Sequence, residues 1–128
     1  PYTQYSFGFA GDARWVNSGA RAAFLYRQNA DHERAYKTAS SFLDGQIHFF
    51  VCIADKQSDA IRIFVDGQEE SVSADYRNGT WPSIDNTDPL TIGAGNTEFY
   101  YGKEVAAVFI WNRALTADEV RELYEMML

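Results

Sequence analysis

The chain has 128 residues, 46% hydrophobic and 16% aromatic, with a formal net charge of −7. That length and composition suit one globular domain with a real core and exclude a disordered chain. The spread of acidic residues argues against a nucleic-acid partner, which needs a basic patch, and no apolar run is long enough for a transmembrane helix, so no membrane insertion is expected.

In chain order, residues 2–9 alternate Thr3, Tyr5, Phe7 and Phe9 against Tyr2, Gln4, Ser6 and Gly8, which predicts a half-buried strand. Gly11-Asp12 breaks it, and 14–16 reads as a short strand ended by Asn17-Ser18-Gly19. Residues 22–28 predict a further strand, 29–33 a polar turn and 34–39 an extended segment. After Asp44-Gly45, the run QIHFFVCIA (46–54) is the strongest strand, apolar on both faces apart from His48. Its Cys52 is the one cysteine, so no internal disulfide can form, and it reads as a buried small hydrophobe. Residues 55–59 form a hairpin loop, IRIFV (61–65) returns, and Asp66-Gly67 signals a tight hairpin with 68–73 pairing back. Residues 75–88 read as a long polar loop, and 90–93 as a brief strand.

The last quarter joins an apolar strand (104–111) to a short helix. Thr116-Ala117-Asp118-Glu119 is a capping box, Leu115 and Val120 can form a hydrophobic staple, and the acids of the first turn favour the helix dipole. Val120, Leu123, Tyr124 and Met127 make one apolar stripe, expected to dock on the preceding strand. Both faces of 104–111 are apolar, which predicts a strand covered on each side. Many short strands with one terminal helix predict an all-β, antiparallel two-sheet sandwich.

Three segments in order resemble the laminin-G-like family, the concanavalin-A-like lectin/glucanase jelly roll. QIHFFVCIAD (46–55) is similar to a family strand that an aromatic–histidine pair opens, with Ile47 where tryptophan is usual. IRIFVDGQEE (61–70) resembles the family's hairpin, and PLTIGAG (89–95) followed by 101–124 resembles its ending. The resemblance spans 46–128, while 1–28 matches more loosely, YTQYSFGFA (2–10) standing for a family strand. It implies a single jelly-roll domain over 1–128 with a short C-terminal helix, lacking the usual first strand. The chain starts at Pro1 without methionine, as an excised or processed piece would. An exposed sheet edge at which another chain pairs is then expected. The resemblance also implies an extracellular or surface-exposed binding module for carbohydrate or a glycoprotein surface.

The segment 75–88 carries the candidate ligand residues Tyr76, Asn78, Trp81 and Asp85, with Arg14 and Trp15 as a second candidate rim. Sugar sites pair an aromatic platform with polar groups for the hydroxyls. Trp81 beside Pro82 reads either as such a platform or as a lid tucked onto the sheet. Asp85, Asn86 and Asp88 are candidate calcium ligands, because calcium takes several hard oxygens from loops; an Asx-rich turn is the alternative. Asn78-Gly79-Thr80 matches a glycosylation sequon. The resemblance implies that His48 is a structural histidine that orders a neighbouring strand. No run of closely spaced carboxylates of the glucanase kind is present, and adjacent Glu69 and Glu70 point to opposite faces of a strand, so no enzyme activity is expected. The alternatives are a structural or protein-interaction module of an adhesin, appendage or virion, and, last, a glucanase-type enzyme.

Overall fold

The computed structural model describes residues 4–9, 21–42, 44–85, 90 and 105–128; within 4–9 it describes the backbone and the Phe7 side chain. The described elements are β1 (Gln4–Phe9), β2 (Arg21–Asn29), β3 (His32–Ser41), β4 (Phe50–Asp55), β5 (Ala60–Val65), β6 (Gln68–Glu69), β7 (Val72–Asn78) and α1 (Ala117–Met127). They form two antiparallel sheets, one ordered β1-β2-β3-β7 and the other β4-β5-β6. The expected two-sheet sandwich with one short C-terminal helix is the observed architecture.

The chain builds a meander in the larger sheet, crosses to build the smaller one, and returns as β7 beside β3. Side-chain alternation fills the space between the sheets. Phe24 of β2 meets Ile61, Ile63 and Val65 of β5, with Tyr26, Tyr36, Phe50, Cys52 and Val72 packed around them. Phe7 reaches across to Phe50, ring centroids 5.2 Å apart. Burial pushes the Cys52 thiol well above its usual range, so it acts as a small apolar filler.

The opposite face of the smaller sheet carries a second core, in which Val51, Ile53 and Phe64 pack under Leu115 and Val120. This explains why β4 is apolar on both faces: one looks at the larger sheet and the other at α1. The helix was expected to dock on residues 104–111; it docks on β4 and β5 instead. Thr116 accepts from the Glu119 amide and donates its own amide to the Glu119 carboxylate, completing the capping box. Arg113 forks onto that carboxylate at 2.8 and 2.9 Å and, with the Thr116 amide, holds its pKa down at about 2.

Three further boundaries differ from expectation. The strand predicted at 46–54 begins at Phe50, because the Phe49 amide donates to the Asp66 side chain rather than into a ladder. The segment 68–73 does not pair back throughout. Gln68 and Glu69 pair with β5 and the Glu70 amide still donates to the Ile63 carbonyl at 2.9 Å, after which the Ser71 carbonyl accepts from the Ala39 amide and the chain changes sheet. Residues 72–78, assigned in part to a loop, are therefore edge strand β7. Residues 105–111 form no strand and are exposed on both faces. The expectations for 10–20 and 91–104 lie outside the described residues.

Tight turns hold this arrangement. Asp66 and Gly67, at φ 52° and 79°, supply the two positive angles that a two-residue hairpin of matching twist requires. Gly67 also lies under Tyr124, whose ring a β-carbon would crowd at 2.9 Å. Among the described residues no helix is long and apolar enough to cross a membrane.

Candidate binding face

Register decides which residues share the outer face of the larger sheet. Leu25 of β2 stands opposite Ala35 of β3, which stands opposite Tyr76 of β7. On one side of that row Arg27, Glu33 and Asn78 align across the same three strands. On the other side Lys37 meets Asp75, which a register shift between Ala35 and Tyr36 turns toward it. The face thus has an apolar middle row between two polar rows.

Both polar rows are cross-strand ion pairs. Lys37 donates to Asp75 Oδ1 at 2.6 Å, and the two side chains are largely buried. Arg27 lies 3.6 Å from Glu33, and Asn78 Nδ2 donates to Glu33 Oε1 at 3.0 Å. Two buried atoms of these pairs, Arg27 Nε and Asp75 Oδ2, have no hydrogen-bond partner among the described residues. Tyr76 is 45% exposed on the floor formed by Ala35 and Leu25, which are themselves buried.

The expected site residues divide. Tyr76 and Asn78 share this outer face, as strand residues rather than loop residues. Trp81 does not join them. Its ring packs 5.3 Å from Tyr26 and lies 5.9 Å under the Arg34 guanidinium, at the end of the inter-sheet core, so it is the tucked residue of the two readings. Asp85 is exposed beyond it, without an ion pair among the described residues. Arg14, Trp15, Asn86 and Asp88 lie outside the described residues. Among those described, no cluster of three or more His, Cys, Asp or Glu side chains is arranged to hold a metal.

Asn78 serves structure as well as the face. Its Nδ2 also donates to the Ala30 carbonyl at 3.1 Å, so glycosylation, which replaces one of that nitrogen's two hydrogens, would remove one of its two hydrogen bonds. The next residue, Gly79, adopts φ 59°, and a β-carbon there would collide with the Asp31 carbonyl and the His32 ring. Residues that pattern reading did not single out are Arg27, Glu33, Lys37 and Asp75. Alternation along residues 32–41 places Glu33 and Lys37 on one face, but their partners emerge only when β7 is laid beside β3.

His48 lies apart from this face. It bridges two carboxylates, Asp66 through Nδ1 at 2.7 Å and Asp44 through Nε2 at 3.0 Å. The Asp66 hydrogen bond is the main cause of its raised pKa. The expected structural histidine is thus a clamp between the segment before β4 and the turn after β5.

The sequence model described as the concanavalin A-like lectin/glucanases superfamily, in its laminin-G form, matches residues 3–121. No curated protein sequence matches the chain. A solved structure similar to it is an S-layer domain-containing protein (residues 221–444) from Clostridium thermocellum, 19% identical with a TM-score of 0.50. The match covers 84% of this chain and 52% of that one, so the chain spans about half its length. At that identity the likeness is one of fold.

Proposed function

Because the chain belongs to the laminin-G-like family of the concanavalin A-like lectin/glucanases superfamily, we propose that it is a non-catalytic module that binds carbohydrate or a glycosylated surface on the outer face of its larger sheet. The observation that carries this reading is Tyr76, half exposed on a small-residue floor between two rows of paired charges. An aromatic ring can take the C–H face of a sugar while flanking polar groups take its hydroxyls.

Glu33 and Asp75, the carboxylates of this face, each engage a cation. That suits holding a ligand better than cleaving one, since retaining hydrolysis needs a matched acid and nucleophile about 5 Å apart. A place at a cell or particle surface accords with such a module and with the S-layer protein whose fold it shares. Calcium held by Asp85, Asn86 and Asp88 belongs to the same proposal, as an ion that would stiffen the segment after Trp81. A calorimetric titration with calcium that gives no heat and no change in melting temperature removes the ion from it.

Affinity electrophoresis through gels cast with neutral polysaccharides, together with a glycan array, tests the reading. Retention of the protein and its loss in a folded Tyr76→Ala variant are expected. No retention by any glycan, or retention unchanged in the variant, overturns it.

A further inference from the structure

A second surface lies on the far side of the molecule's smaller sheet, along α1. Trp111, Arg113, Leu115, Glu119, Glu122, Leu123 and Met126 enclose a groove of about 190 Å³. That is room for one aromatic or large aliphatic side chain, since a cavity of roughly 150 Å³ accepts benzene. The groove continues onto exposed apolar residues. Trp111 is 39% exposed and its ring lies 5.9 Å from that of Phe109, which is 54% exposed; Met126 is 81% exposed. Apolar surface joined in this way marks an interaction site.

Charge selects the occupant. Arg113 is committed to Glu119 and Arg121 to Asp118. Glu122 and Glu125, one helical turn apart, have no ion-pair partner among the described residues. The groove is therefore edged by uncompensated negative charge. A second copy would bring the same carboxylates and a net charge of −7, and an anionic lipid surface would repel them. A neutral glycan would leave the apolar groove unmatched.

We propose that this groove docks a basic segment of a partner protein, with an aromatic or aliphatic side chain seated between Trp111 and Met126 and lysine or arginine groups on Glu122 and Glu125. The surface is separate from the sheet face proposed for carbohydrate, so either can fail alone.

Fluorescence anisotropy with two short labelled peptides tests it, one combining arginine with leucine and tryptophan, the other with glutamate in place of arginine. The basic peptide is expected to bind, more weakly as salt rises, and the acidic one not to bind. The double variant Glu122→Lys/Glu125→Lys and the single variant Met126→Glu should each weaken binding by about tenfold or more. Asp31→Lys, a charge reversal at the distant β2–β3 turn, should change it little. All these positions are exposed, and circular dichroism is the check that each variant folds. Absence of binding, equal binding of both peptides, or an equal effect of Asp31→Lys overturns the proposal. So does a dimer in sedimentation that the Met126→Glu variant dissolves, which would make the occupant a second copy.

Discussion

Arg34 of β3 donates its Nε–H to Asp59 Oδ1 at 2.9 Å, tying the larger sheet to the hairpin tip of the smaller one. The Arg34 side chain is only 2% exposed, and its other nitrogens donate to the carbonyls of Glu33, Asn78 and Gly79. Asp59 also accepts from Arg77 at 2.7 Å, and its hydrogen bond from Arg34 is the main cause of its lowered pKa. One planar cation thereby organises three backbone carbonyls and two sheets. Arg34→Met is expected to cost about 3 kcal/mol, the lower end for a broken buried pair, since the half-exposed Asp59 can rehydrate. Arg34→Lys should recover little, because an ammonium cannot reproduce the fork. Urea denaturation measures both, and a loss below about 1 kcal/mol would reduce the pair to an ordinary surface bridge.

His48 makes stability depend on pH in a defined direction. Its folded pKa is raised, mainly by the Asp66 hydrogen bond, so the protonated ring is favoured in the native state. That contribution is fully present below the unfolded value of 6.5 and is lost as pH rises through the higher folded value. Asp44 runs the other way. Its pKa is lowered by the Gln46 amide and by His48, so its share is present above 3.8 and lost as pH falls through the folded value. Melting temperature should therefore decline on the alkaline side of the histidine range. A His48→Gln variant should show a flatter profile there; an identical slope in both proteins would exclude the clamp.

Gly79 combines a positive φ with a close approach to the Asp31 carbonyl. Gly79→Ala should destabilise by about 2 kcal/mol or more, strain alone costing roughly 1–3 kcal/mol. Gly45, also at positive φ but with open space around its β position, should lose less on the same change. Thermal melts of the two variants side by side make the comparison.

The helix is held by its cap and by one fully buried side chain. Thr116→Ala should cost about 1 kcal/mol, the usual value of an N-cap. Val120 is 0% exposed between Leu115 and the β4–β5 face, and Val120→Ala should cost about 2 kcal/mol through the cavity left behind. Chemical denaturation that finds the cap change the more costly would contradict this packing.

Tyr76 and Trp81 should separate binding from stability. Tyr76→Ala is expected to weaken glycan retention with little change in melting temperature, since the ring stands half exposed. Trp81→Ala should cost about 3 kcal/mol, because its ring closes the inter-sheet core against Tyr26 and Arg34. Retention and melting temperature measured on the same two variants decide it; the reverse outcome would move the site to the loop.

What the amino-acid order determined by itself is local. The capping box at Thr116, the Asp66-Gly67 hairpin and the two-faced apolar character around Val51 depend on neighbours a few residues away, and each is visible as spacing. The tertiary structure alone decided which partners those elements meet. Alternation shows that both faces of β4 are apolar, but not that α1 covers one of them, because a docking partner leaves no mark on the period of the strand it covers. The same limit applies to the site. Tyr76 and Asn78 were legible as polar and aromatic residues, yet their alignment with Ala35 and Glu33 follows from β7 crossing back to β3. Trp81 looks like a platform in sequence, and it is packing against Tyr26, fifty-five residues earlier, that makes it part of the core.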